Sequence, residues 1–212
     1  AALRASGQAD NTLVWFFSDN GGPISVTHSD NSPLRGAKGN VLEGGIRVPF
    51  MIRWPGRIAP GRVSNEIVHG VDMFATLASL SGAKVPADRP VDSLDQSRFL
   101  LGDARTSARE GFPIWGADIL LAVKWRNWKL HFYRQDSMFD PPAKLGIPYI
   151  INLYTDPREE KPQEIVNLRD GPHGGARAPP HRLLVDGNCG GKPVDQLHLG
   201  LLEASEKLPC VR

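Results

Sequence analysis

The run Thr12 to Ser18, "TLVWFFS", followed at once by Asp19-Asn20-Gly21-Gly22, constrains this chain more than any other stretch. It is short, apolar, β-branched and aromatic, and Gly21-Gly22-Pro23 closes it, so it reads as a strand. Its near-continuous apolar character is that of a strand buried on both faces, as in the parallel sheet of an α/β domain. The residues that end it allow two readings. Asp, Asn and Gly are the residues with which chains turn, and taken alone the stretch is a turn. Alternatively, the strand delivers a carboxylate and an amide oxygen to a hard cation, Ca²⁺ or Mg²⁺. Such a cation takes six or more oxygens, so further ligands would come from elsewhere.

The residues downstream bear on that choice. Residues 23–40 are polar and glycine-rich with no period, a long loop of the kind that is either functional or disordered. Ile46 to Gly56, "IRVPFMIRWPG", reads as a second buried strand with Pro49 marking a bulge or an edge. Between them, Lys38 lies close to Gly36 and Gly39, which let the backbone approach a ligand while the ammonium presents a point charge to an anion. Alone, such a lysine is a solvated surface charge. His28 lies in the loop between Asn20 and Lys38, placed to line a pocket as a proton donor to a leaving group, or to sit on the surface. Glu43 and Arg47 read as a structural ion pair or a loop clamp.

Val68 to Ser81 carries the best helical pattern, with Val68, Val71, Phe74, Leu77, Ala78 and Leu80 near one face and Gly82 placed to end it. Asp72 reads as a cap or a structural contact, and His69 as structural. A short helix is expected near Leu94 to Leu101. Leu120 to Tyr133 reads as a hairpin turning at Arg126-Asn127, with His131 half-buried in it. A third strand spans Tyr149 to Leu153, before a turn at Asp156-Pro157. The expected organisation is an α/β part over 1–103, a small antiparallel subdomain over 104–172, and a Gly/Pro-rich, weakly ordered tail over 173–212. The tail holds His173, His181, His198, Cys189 and Cys210, to which no role is given. No CxxC and no zinc-type spacing is present, so a soft-metal site is not indicated.

A formal net charge of +2 gives no argument for a nucleic-acid or membrane-surface partner. No apolar run approaches the roughly 20 residues that cross a bilayer. The opening "AALRASGQADNT" has no apolar signal-peptide core, and it lacks Met and leads directly into a strand, so the chain reads as part of something longer or as a processed N-terminus.

Together, a strand ending in Asp-Asn-Gly, the run "PLRGAKGNVLEGGIRVPFMIRWPG", the helix with "ATLASLSGA" and the later "INLYTDPREE" resemble the C-terminal half of the type I sulfatases, arylsulfatases in particular. The resemblance covers about Thr12 to Leu168 and is strongest through Gly82 and around Leu153 to Glu159. It implies an alkaline-phosphatase-like fold, in which a large sheet flanked by helices precedes a smaller antiparallel subdomain. It implies hydrolysis of a small-molecule or carbohydrate sulfate ester by a formylglycine nucleophile, with a divalent cation, usually calcium. By motif, Asp19 and Asn20 match metal ligands, and Lys38 matches the lysine that binds a sulfate oxygen. Periplasmic, secreted or lysosomal placement is common in the family. The Cys/Ser-x-Pro-x-Arg motif that yields the nucleophile is absent, as is the Asp-Asp strand supplying the other metal ligands, so this chain alone should not turn over. A phosphate or phosphonate ester hydrolase of the same superfamily, and a non-catalytic fragment with an incomplete metal or anion site, are the alternative readings.

Overall fold

The computed structural model describes residues 1–137 and 139–164, with residues 163 and 164 described by their backbone. The expectations for the tail, its histidines and its two cysteines lie outside the described residues. The described chain divides into two compact units, one formed by Ala1–Lys38 and Gly44–Gly111, the other by Gly39–Glu43 and the residues from Phe112 onward.

In the first unit, a one-turn helix α1 (Ala2–Ala5) leads to β1 (Val14–Phe17), and α2 (Glu43–Ile46) leads across the unit boundary into β2 (Phe50–Arg53). Helices α3 (Asp72–Ser81) and α4 (Ser97–Leu101) come next. β1 and β2 form a two-stranded antiparallel ladder in which Trp15 faces Ile52, Phe16 faces Met51 and Phe17 faces Phe50. Directly paired residues share a face. On one face Trp15 and Phe50 meet edge to face, with ring centroids 5.2 Å apart, and Phe17 lies beside them. On the other, Phe16 and Met51 are exposed. This corrects the expectation of a strand buried on both faces. β1 alternates between exposed and half-buried residues, and its neighbour in the ladder is the antiparallel β2.

α3 is shorter than its sequence pattern, starting at Asp72, and it ends as expected with Gly82 in the left-handed region (φ 76°). Its orientation is the reverse of the one its apolar residues suggest. Asp72, Ala75 and Thr76 are buried, whereas Val71, Phe74 and Leu77 are exposed. Polar bonding decides this. The Asp72 carboxylate accepts the backbone N–H of His69 at 3.0 Å and of Leu94 at 3.0 Å, and Arg109 grips it with Nη2 at 2.6 Å from Oδ1. Thr76 Oγ1 accepts the N–H of Gln96 at 3.0 Å. Arg109, and Ser107 through its hydroxyl bond to Gln96 Oε1 at 3.0 Å, tie residues after Ala104 into the first unit. The first unit runs to Gly111.

The second unit is built on a five-stranded sheet in the order β3 (Gly111–Gly116), β4 (Ile119–Trp125), β5 (Trp128–Arg134), β6 (Ala143–Asn152) and β7 (Gln163–Glu164). The β4–β5 hairpin turns at Arg126-Asn127 as the sequence indicates, pairing Trp125 with Trp128, and Arg126 takes a left-handed backbone (φ 51°). Trp128, Leu130 and Ile150 form the apolar cluster, with Trp125 and Phe132 packed against it. Side chains alternate along a strand, so Lys129 and His131 point to the opposite face of β5. Both are nonetheless buried, so that face must meet polar partners.

Candidate functional site

The end of β1 is both a turn and a presentation of oxygens. Ser18 Oγ donates to the carbonyl of Asn20 at 2.9 Å, and the Asn20 N–H donates to Asp19 Oδ1 at 3.0 Å. These are the local side-chain-to-backbone bonds that let Ser and Asp shape a turn. Asp19 is exposed and its Oδ2 accepts no hydrogen bond among the described residues. Asn20 beside it is half-buried.

The glycines after Asn20 have a steric cause. The Gly21 N–H donates to the Gly45 carbonyl at 2.9 Å, and a Cβ at position 21 would run into the Gly44 carbonyl. The Gly44 N–H in turn donates to the Arg35 carbonyl at 2.8 Å, and a Cβ there would lie 2.6 Å from the Gly36 carbonyl oxygen. Gly21 and Gly44 thus mark backbone approaches too close for a side chain. Asn31, which nothing in the sequence singles out, clips the long loop. Its Oδ1 accepts the Gly22 N–H at 2.9 Å, and its Nδ2 donates to the carbonyls of Gly22 at 2.9 Å and Gly36 at 3.0 Å. Its only signal in the sequence is an Asn in a polar loop, and many such residues merely turn the chain.

The loop therefore returns to the end of β1. The Lys38 N–H donates to the Gly22 carbonyl at 3.3 Å, which puts the Lys38 backbone within one hydrogen bond of the segment that carries Asp19 and Asn20. The Lys38 side chain is exposed and makes no ion pair among the described residues. His28 is exposed too and makes no hydrogen bond among them, so no contact draws it toward Asp19, Asn20 or Lys38. The carboxylate and amide oxygens of Asp19 and Asn20 are hard donors suited to Ca²⁺ or Mg²⁺. Among the described residues no group of three or more His, Cys, Asp or Glu side chains is placed to hold a metal. The fit is that of a partial ligand set.

Two other polar clusters differ in kind. Around Asp72, burial alone would raise the carboxyl pKa. The bonds from Arg109 and from the Leu94 and His69 N–H groups outweigh it and hold the pKa below the usual value. Burial, helped by Arg109, pushes the His69 imidazole down, and its Nδ1 accepts the Val71 N–H at 3.2 Å. In the second unit, Glu43 is the partner that the polar face of β5 requires. Lys124 and Lys129 are directly paired across β4 and β5, a like-charge pair that is unfavourable by itself. Glu43 sits with Oε2 at 2.6 Å from Lys124 Nζ and Oε1 at 3.2 Å from Lys129 Nζ. Glu159 Oε1 lies 3.0 Å from Lys129 Nζ and 3.1 Å from His131 Nε2, while Glu159 Oε2 accepts the Glu43 N–H at 2.6 Å. Lys129 and Glu159 are both 0% exposed. Glu43 is thus a clamp of the kind its sequence context suggests, whereas Arg47 makes a single bond to Asn65 Oδ1 at 3.2 Å.

The profile of the Sulfatase family matches residues 1–83. A steryl-sulfatase from Rattus norvegicus is 36% identical over 193 residues, spanning 76% of this chain and 33% of the relative. Arylsulfatase A from Homo sapiens is 37% identical over 177 residues, spanning 74% of this chain and 34% of the relative. A solved sulfatase from Pseudoalteromonas sp. superposes with a TM-score of 0.71 at 32% identity, covering 79% of this chain and 36% of that structure. The chain spans about a third of the length of the curated relatives it matches. The likeness carries the alkaline-phosphatase-like α/β fold expected from the motifs.

Proposed function

Because this chain belongs to the type I sulfatase family, we propose that it supplies one part of a sulfate-ester hydrolase site. In this reading Asp19 and Asn20 contribute two oxygen ligands to a divalent cation, calcium by the family resemblance. The bound cation supplies Lewis-acid stabilisation of the sulfate oxygens. Lys38 places an ammonium on a peripheral sulfate oxygen, where negative charge grows as the ester bond breaks, and a fixed positive group favours the transition state over the ground state. The nucleophile, a formylglycine, comes from a Cys/Ser-x-Pro-x-Arg segment that this sequence does not contain. His28 takes no step in this reading. The substrate class is a small-molecule or carbohydrate sulfate ester.

The observation that supports the reading best is the return of the loop. The Lys38 N–H to Gly22 carbonyl bond at 3.3 Å brings the lysine backbone to the strand end that bears Asp19 and Asn20. That Asp19 and Lys38 are exposed, with Asn20 half-buried beside them, supports it further. The test is aryl sulfate hydrolysis by a polypeptide that joins this chain to a formylglycine-bearing segment. Activity is expected to vanish on chelation and return with calcium, and Asp19→Ala is expected to raise the calcium concentration required. Full activity in excess chelator, unchanged by Asp19→Ala, would remove the basis for the assignment.

A further inference from the structure

The Glu43–Lys129–Glu159–His131 cluster serves no step of the proposed hydrolysis, yet it buries more ionisable groups than any other part of the described chain. We propose that it is an acid-released latch that holds the Gly39–Glu43 segment and the turn around Glu159 on the polar face of β5. The proposal stands on the second unit alone and does not depend on the sulfatase reading.

Three observations carry it. First, both latched segments are held by side chains, not by a ladder. Glu43 opens the one-turn α2 and belongs to no strand; among the described residues it meets the sheet through Lys124 and Lys129, and its N–H donates to Glu159 Oε2. The turn around Glu159 is bonded to itself, Thr155 and Asp156 N–H to the Asn152 carbonyl and Glu159 N–H to that of Asp156. Second, Glu159 adopts a left-handed backbone (φ 55°), uncommon for a residue with a Cβ, at the turn whose carboxylate meets Lys129 and His131. Third, the titratable group at the centre is a histidine. The groups that face His131 are Glu159 at 3.1 Å, Lys129 beside it on β5, Glu43 beyond Lys129, and the half-buried Tyr149 paired with it from β6. Lys124 completes the set across β4.

Among the described residues of this cluster two carboxylates face two ammoniums, so that a neutral imidazole adds no charge to them. A proton on His131 adds a buried cation that competes with Lys129 for the same Glu159 oxygen. Burial already pushes the imidazole below its usual value. Proton uptake is therefore linked to any opening that frees His131, and acid shifts the population toward it. The Glu43 segment and the Glu159 turn open before the ladder because no strand pairing restrains them.

Amide hydrogen exchange on the full 212-residue chain tests this, with rates corrected for the intrinsic pH dependence of exchange. Between pH 6.5 and 5.5 the protection of the Glu43 amide is expected to fall by up to about tenfold, the linkage limit for one proton per pH unit. The Val123 and Leu130 amides, in the β4–β5 ladder, should hold theirs. In His131→Gln the drop at Glu43 should disappear. Protection at Glu43 that is flat with pH, that falls in step with Val123, or that falls equally in His131→Gln would overturn the latch. Should His131→Gln not fold, wild type decides: the fall at Glu43 must begin near the pKa of a free imidazole and level off at the lower native pKa of His131 read by NMR, and a native pKa at or above the free value refutes the proposal.

Discussion

Two polar regions drawn from neighbouring stretches of sequence behave in opposite ways. Asp19, Asn20 and Lys38 lie at a strand end and on a loop, and the two charged groups are exposed with no ion pair among the described residues. Glu43, five positions after Lys38, is 1% exposed and bonded to two ammoniums and to Glu159 through its own N–H. In sequence both sit among glycines and look alike. Their contrast gives a way to sort charged residues in such a motif. A charge whose partners come from the same protein is a fastening, and a charge left open is available to a ligand.

If that distinction holds, the fastening side should respond most strongly to mutation. Glu43→Ala removes the carboxylate that bridges the paired Lys124 and Lys129, leaving Glu159 to balance Lys129 and His131, and is expected to cost about 3–5 kcal/mol in urea denaturation. A loss under about 1 kcal/mol, the worth of an exposed pair, would mean the cluster is a bystander. Next comes the crossing of backbones. Gly44→Ala puts a methyl 2.6 Å from the Gly36 carbonyl oxygen and is expected to cost about 1–3 kcal/mol, read as a lower denaturation midpoint at unchanged slope. A smaller contribution concerns pH. The folded pKa of His131 lies below its unfolded value of about 6.5, so the unfolded chain binds more protons in mild acid. Its contribution is complete above about pH 6.5 and is lost as pH falls toward the folded pKa, by at most about 1.4 kcal/mol per pH unit. His131→Gln should flatten stability across that window, and an unchanged slope would contradict the buried neutral imidazole. The weakest response belongs to the open charges, where Asp19→Ala should change stability by no more than about 0.5 kcal/mol.

Much of the fold is legible in the sequence where local chemistry and tertiary context agree. The β4–β5 hairpin follows from aromatic strands around Arg126-Asn127, and the end of α3 from Gly82. The orientation of α3 is not legible. Its apolar residues mark one face, but the buried face is chosen by the Asp72 carboxylate, whose partners Leu94, Gln96 and Arg109 are distant in sequence. The expectation that β1 is buried on both faces fails for a similar reason, since a continuous apolar run does not say whether a layer packs on each face. At the candidate site the residue types are readable from the motif. The clip made by Asn31 and the reason for the paired glycines are not, because a close backbone crossing leaves only the absence of a side chain as its signature.

If the open charges near the end of β1 serve a ligand and not the fold, Lys38→Ala should separate the two roles most directly. Thermal stability and aryl sulfate turnover would be measured together, in a polypeptide joining this chain to a formylglycine-bearing segment. The expected result is a Tm unchanged within experimental scatter and a kcat lowered by about 10²-fold or more, the usual consequence of removing a positive group from a developing oxyanion. A kcat that stays the same, or that falls only in proportion to lost folded protein, would contradict it.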